Sequence, residues 1–214
     1  MTSEVAYTRT CRLALERAVR TLLAEIGDIP IGTPGQFPYG WRKAAKGRTV
    51  WRLLEEAISQ NLEARAASLG IYDFVPADSE VGVYDFAFRF ADTGTIYVNV
   101  KSAVAGGRTN KDDISKGDKL LNFFSTTSAC TLFIVTIELQ FLSSPLRIRL
   151  SNCYVVPVSW LPDIYVNPSN NGNLQSSKYK DFSSAIPRSQ AEFITLLRVE
   201  WANAVAKRNR KRSS

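Results

Sequence analysis

The stretch Val81-Gly-Val-Tyr-Asp-Phe-Ala-Phe-Arg-Phe90, then Ala-Asp-Thr-Gly-Thr95, then Ile96-Tyr-Val-Asn-Val-Lys-Ser102 decides how this chain is read. Both flanking runs are rich in β-branched and aromatic residues, and Asp92-Thr93-Gly94 supplies turn chemistry between them, so the segment reads as a β-hairpin. Pairing Phe90 with Thr95 sets Asp85 opposite Val100, between Asn99 and Lys101. Side chains alternate along a strand, so Asn99 and Lys101 share one face while Val98 and Val100 take the other. A Lys among apolar neighbours is costly unless it has a partner, which Asp85 or a metal-bound phosphate would supply. An Asp on one strand facing a polar residue, a spacer and a Lys on the next is the minimal apparatus of a metal-dependent phosphodiesterase. The same two residues also make ordinary cross-strand ion pairs, and the hairpin by itself leaves both readings open.

With 214 residues, 45% of them hydrophobic, the chain is long enough to bury a full core. A single domain is expected over residues 1–206, with a flexible basic tail at 207–214. Lys and Arg outnumber Asp and Glu by 27 to 20, giving a formal charge of +7 that suits a polyanionic partner, nucleic acid before an anionic membrane. No run approaches the roughly 20 apolar residues of a membrane span, and the N-terminal residues lack the pattern of a signal peptide, so a cytoplasmic protein without membrane association is expected. Cys11, Cys130 and Cys153 are widely spaced with no CxxC pair; they read as small core residues rather than a zinc site or disulfide framework. The chain contains no His. That excludes Ser-His-Asp and Cys-His catalysis, zinc-His sites, and the nuclease classes that depend on His.

Hydrophobic periodicity predicts a helix over residues 8–26, a Gly/Pro-rich loop at 27–40, and a second helix over 48–70 that Gly70 ends. A short strand is expected at 71–75, then the hairpin, then a helix over 110–124. Strands are expected at 130–139 and 146–158. The first of these is almost continuously apolar and should lie at the centre of a sheet. A polar loop at 167–180 and a helix over 189–207 complete the chain. This order argues for an α/β fold in which helices flank a central mixed sheet.

Phosphodiester hydrolysis calls for a metal to neutralise developing charge, an activated water and a stabilised leaving oxygen. Asp85 is the candidate Mg²⁺ ligand, the Val100 carbonyl completes the site, and Lys101 orients or deprotonates the water. Mg²⁺ takes oxygen ligands and keeps several waters, so few protein ligands are needed. Asn99 offers only a neutral carbonyl oxygen where such sites usually have an acid, so a further carboxylate should compensate. Glu55, Glu56, Glu63, Asp78 and Glu80 are the candidates. Glu56 and Glu63, seven residues apart, lie on roughly one helical face with Glu55 about 100° away, and Glu56 is favoured.

Arg108, Asn110, Lys111 and Lys116 follow the Lys101 strand closely enough to reach phosphates or guanine edges, unless they simply form a solvated loop. The amide-rich stretch containing Asn170, Asn171, Asn173, Gln175, Ser176, Lys178 and Lys180 suits adenine recognition in a groove; Asn, Ser and Gly also make plain turns. The tail KRNRKR (207–212) fits non-specific phosphate contact or solubilising disorder equally well.

The segments GRTVWR (47–52), ADSEVGVYDF (77–86), VNVKSAVAG (98–106), NKDDISK (110–116) and DIYVNPSNNGNLQSSKYKD (163–181) resemble type II restriction endonucleases of the PD-(D/E)XK superfamily, in particular cutters of long A/T-rich sites. The resemblance covers nearly the whole chain. It implies a PD-(D/E)XK fold, in which a helix precedes a hairpin carrying the acid and the X-Lys pair and a second helix leads to further strands. It further implies a bacterial homodimer that cuts both strands of a GTTTAAAC-like palindrome with Mg²⁺, protected by a cognate DNA methyltransferase acting on the same site. Asp85 and Lys101 match the motif, and Asn99 departs from its acid. A two-fold dimer also follows from chemistry, because one such site cuts one strand and a palindrome mirrors protein symmetry. Two alternatives stay open at this point: a DNA-binding protein on a catalytically weakened nuclease fold, and a repair or transposition nickase of the same fold.

Overall fold

The computed structural model describes residues 3–41, 50–78, 82–107, 111–127, 131–143, 145–170 and 172–213, with 211–213 as backbone. Arg108, Asn110 and Asn171, together with Glu80 and Cys130, lie outside the described residues. The long apolar run forms β6 (Thr131–Ser143), flanked in a six-stranded sheet by β7 (Leu146–Pro157) on one side and β4 (Ile96–Val104) on the other. Beyond β7 lies β1 (Asp28–Gly32), and beyond β4 lie β3 (Phe86–Phe90) and β2 (Ile71–Pro76). β4 and β6 run parallel and every other pair is antiparallel, so the sheet is mixed. A parallel neighbour needs a crossover, and the crossover between β4 and β6 contains β5 (Asp112–Lys116) and α3 (Gly117–Thr126).

Helices cover both faces. α1 (Ser3–Ile26) and α2 (Trp51–Ala64) bury Leu15, Val19 and Leu22, and Leu54, Ile58 and Leu62, against Val98, Val100, Phe133, Val135 and Ile137. On the opposite face Leu132, Ile134 and Val156 pack with Leu120 and Phe124 of α3 and Phe193 and Leu197 of α4 (Gln190–Ser213). Alternate residues of β6 thus enter different cores, which is why its sequence shows no polar alternation. Each fully buried side chain of this size contributes about 1.5–3 kcal/mol. The architecture is α/β with a central mixed sheet and flanking helices, as the order of elements predicted.

Several expectations are corrected. The loop foreseen at 27–40 contains β1, which pairs with β7 at the sheet edge. The helix foreseen at 110–124 starts only at Gly117; β5 precedes it and joins a second sheet. That sheet has the order β5-β9-β8; β9 (Asn173–Ser176) lies inside the stretch read as a polar loop, and β8 (Tyr165–Asn167) leads into it. The amides of the stretch hid its period-two pattern, in which Val166, Leu174 and Ser176 point inward and are buried. Nor is 207–213 a free tail: α4 runs on to Ser213, and the Arg208 Nε donates to the Pro168 carbonyl at 3.2 Å. α2 ends at Ala64 rather than at Gly70. The following turns close at Gly70, whose φ of 67° lets Ile71 N–H reach the Ala66 carbonyl and Gly70 N–H the Ala67 carbonyl. Among the described residues no helix is long and apolar enough to cross a membrane.

Candidate functional site

The hairpin exists but is one residue out of the expected register. Phe86 pairs with Val98, Ala87 with Tyr97 and Phe88 with Ile96. The turn is longer than foreseen because Thr93 closes it, accepting from the Phe90 N–H through Oγ1 at 2.8 Å and donating its own N–H to the Phe90 carbonyl at 3.2 Å. A one-residue shift exchanges the faces of a strand, and here it brings Asp85 level with Asn99.

The pairing of β3 with β4 stops at Phe86, whereas β4 continues to Val104, so among the described residues the far half of β4 has an open edge. Asp85 sits at that opening. Its N–H donates to the Val98 carbonyl at 2.8 Å, and its Oδ2 accepts from the Val100 N–H at 2.5 Å. In a strand the N–H and C=O of one residue point the same way, so the Val100 carbonyl faces the same edge as the Asp85 carboxylate. Lys101 is half-buried beside them. It forms no ion pair within 4.0 Å among the described residues, so the simple cross-strand salt bridge is not made, although its charge draws the Asp85 pKa down. Burial outweighs that pull and the Val100 hydrogen bond, leaving the Asp85 pKa above the usual carboxylate value.

The helix-borne acid at this site is Glu55, not Glu56. α2 turns Leu54, Ile58 and Leu62 inward. At about 100° per residue, Glu56 is about 200° from Leu54 and faces away from the sheet. It is exposed and accepts from Gln60 Nε2 at 2.5 Å. Glu55 lies at the margin of the buried stripe. Its pKa is pushed up to about 7, first by burial and next by the negative charge of Asp85, against opposite pulls from Lys101 and Arg52. Asp112, just after the loop that leaves β4, adds a further push in the same direction. Glu55 was legible in the apolar spacing of α2, which defines the buried face better than the spacing of the acids does. Asp112 belongs to the NKDDISK stretch (110–116), where nothing local marks it as a neighbour of Glu55.

Asn99 is 7% exposed. Its Nδ2 donates to two backbone carbonyls, Val83 at 3.1 Å and Ile114 at 3.2 Å, and its Oδ1 is buried without a partner among the described residues.

The amide-rich stretch is organised around one carboxylate. Asp113 of β5 accepts from Asn170 Nδ2 at 2.7 Å and Asn173 Nδ2 at 2.9 Å through one oxygen, and from Gln175 Nε2 at 2.7 Å through the other. Ser176 is fully buried and donates to Asp163, so it faces no solvent. Lys178 is paired with Asp181 at 3.1 Å, and the Lys111 ammonium lies over the Tyr165 ring, 4.2 Å from its centroid. Lys116 precedes α3 as its N-cap, half-buried like Lys180. Lys178 and Lys180 line a cleft of about 430 Å³ with Glu138, Tyr154, Ser177 and Asp181. Register sets Tyr154 of that cleft two strands from Lys101: Thr136 pairs with Lys101 across β4 and β6, and Tyr154 pairs with Thr136 across β6 and β7.

Among the described residues, no three His, Cys, Asp or Glu side chains are grouped to hold a metal. The oxygen donors gathered at the β4 edge are two half-buried carboxylates, Asp85 and Glu55, which have no ion-pair partner among the described residues, and the Val100 carbonyl. Two like charges in a partly desolvated place suit a hard divalent cation. Neither the protein-family models nor the curated proteins include a match to this chain.

Proposed function

We propose that the protein is a Mg²⁺-dependent endonuclease of the PD-(D/E)XK type, a restriction enzyme that cleaves both strands of DNA at an A/T-rich palindrome as a homodimer. The observation that carries this reading is the placement of Asp85, Val100, Glu55 and Lys101 around the open edge of β4, on a hairpin preceded by α2 and followed by α3 and β6. That order is the one the resemblance implies.

Asp85, the Val100 carbonyl and Glu55 would hold the cation, which supplies charge neutralisation and a more acidic water when bound. Asp85 is fixed by the Val100 N–H through one oxygen and leaves the other available. Glu55 is poised to exchange a proton near neutral pH because burial and Asp85 disfavour its charged form. Lys101, which forms no ion pair among the described residues, would offer its ammonium to a phosphate oxygen. The basic balance of the chain favours approach of a polyanion.

Digestion of DNA of known sequence with Mg²⁺ tests the proposal. Discrete fragments are expected, and none with Asp85→Ala or Lys101→Ala. Binding without any cutting, or cutting that survives both substitutions, would refute it.

A further inference from the structure

Asn99 occupies the place where the hydrolytic motif has an acid, and its environment gives a reason for the amide. Its two N–H groups have separate, buried acceptors: the carbonyl of Val83, two residues before Asp85, and the carbonyl of Ile114, the residue after Asp113. A carboxylate offers no hydrogens and would face both carbonyls repulsively. The double donation also fixes the orientation of the amide, and the remaining Oδ1 is sealed from solvent. An oxygen so enclosed is inaccessible to a hydrated divalent ion, so Asn99 does not serve as the cation ligand that an acid in its place would be. Leaving an acceptor buried and unpaired costs about 1–3 kcal/mol, a cost set against two hydrogen bonds to buried carbonyls.

The two carbonyls belong to different parts of the molecule. Val83 leads directly into the Asp85 position, while Ile114 sits in β5, whose Asp113 gathers Asn170, Asn173 and Gln175. We infer that Asn99 is a positioning residue, which ties the Asp85 segment of the central sheet to the amide-bearing second sheet and so sets Asp85 against the Val100 N–H in register with that sheet. The inference concerns the protein's own hydrogen bonds; its link to DNA cleavage rests on the nuclease reading above.

Two variants test it, Asn99→Asp and the smaller Asn99→Ala, by amide hydrogen exchange and by single-turnover cleavage at saturating DNA. Positioning predicts that protection of the Val100 and Asp85 amides falls at least about tenfold in both variants, while the central amides of residues 133–137 keep theirs. It further predicts that cleavage falls in both and is not recovered by roughly tenfold more Mg²⁺, with DNA affinity within about twofold. Unchanged protection at Val100 and Asp85 with the central sheet intact would overturn the inference, as would Asn99→Asp cutting as well as the parent or at lower Mg²⁺. If protection falls in a protein that never cuts DNA, the positioning role stands and the nuclease reading fails. Should Asn99→Asp not fold, Asn99→Ala carries the same measurement.

Discussion

Glu55 of α2 and Asp85 at the mouth of the hairpin, thirty residues apart in sequence, are electrostatically coupled: the charge of Asp85 helps push the Glu55 pKa up to about 7. Two carboxylates that oppose each other's ionisation at one sheet edge store a repulsion that a bound cation would relieve.

That repulsion has a measurable pH dependence. In the folded protein Glu55 keeps its proton up to about 7, whereas in the unfolded chain it releases it near the ordinary value of 4.5. Between these values the folded state binds more protons, so the Glu55 contribution favours folding below the unfolded pKa and is lost as pH rises through the folded one. Because Glu55 is only partly buried, solvent screening reduces the effect to about 1–2 kcal/mol. Without divalent ions, Glu55→Gln should therefore gain on the parent by that amount in denaturant titrations when pH is raised from 5 to 8. An unchanged gap would show that the two carboxylates do not share a site.

Cation binding should act in the opposite sense on the same pair. At pH 8, saturating Mg²⁺ or Ca²⁺ is expected to raise the parent's unfolding free energy by about 1–3 kcal/mol and to leave Asp85→Asn nearly unaffected, because a ligand stabilises only the state that binds it. Thermal melts with and without the ion check this, and an equal shift in both proteins would place the cation elsewhere.

The sequence made the sheet legible where burial is one-sided or complete. β6 announced itself by an unbroken apolar run, and the hairpin by its alternation and its Asp-Thr-Gly turn. Lys101 is recognisable on a strand of that hairpin, and Asp85 immediately before its partner strand. What escaped depends on contacts remote in sequence. Glu56 was preferred to Glu55 because the acids were compared with each other rather than with Leu54, Ile58 and Leu62, which set the direction of α2. β9 reads as loop because its polar positions are filled by Asn and Gln, whose partner Asp113 lies more than fifty residues upstream. The hairpin register was missed by one residue because Thr93 turns its hydroxyl onto Phe90.

Asp113 supports a prediction of its own. It is half-buried and accepts three amide hydrogens from the β8–β9 hairpin. Asp113→Ala leaves all three donors without their acceptor and should destabilise the protein by about 2–4 kcal/mol, with proteolysis appearing first around Asn167–Ser176. Asp113→Asn can accept through only one oxygen and should fall between the two. Cleavage elsewhere, or an unchanged melting temperature, would mean that the amides do not need this carboxylate.

Thr136 provides a test with the opposite sign. It lies on β6 beside Lys101, is fully buried, and its Oγ1 has no hydrogen-bond partner among the described residues. Thr136→Val exchanges that hydroxyl for a methyl of similar shape and should stabilise the protein by about 1 kcal/mol. Denaturant titration reads the change. A loss of stability would show that the hydroxyl is satisfied in solution by a group such as a bound water between Lys101 and Tyr154.

The contact between the second sheet and α4 is the most sterically exacting. Gly172, in the turn between β8 and β9, has φ of 75°, and a Cβ there would lie 2.3 Å from Cζ3 of Trp201 on α4. Its carbonyl also accepts from the Gly117 N–H at 2.9 Å, at the start of α3, where a Cβ on Gly117 would meet the same indole at 2.9 Å. Trp201 thus presses on two glycines that join the amide hairpin to the crossover helix. Gly172→Ala faces both the left-handed backbone and the indole, and a cost of about 3 kcal/mol is expected, larger than that of Gly70→Ala, where the backbone alone opposes the change and about 1 kcal/mol is lost. Combining Gly172→Ala with Trp201→Leu should recover part of the loss. If it does not, the indole is not what excludes a side chain at 172, and the hairpin is held to α4 chiefly by the Arg208 bond to Pro168.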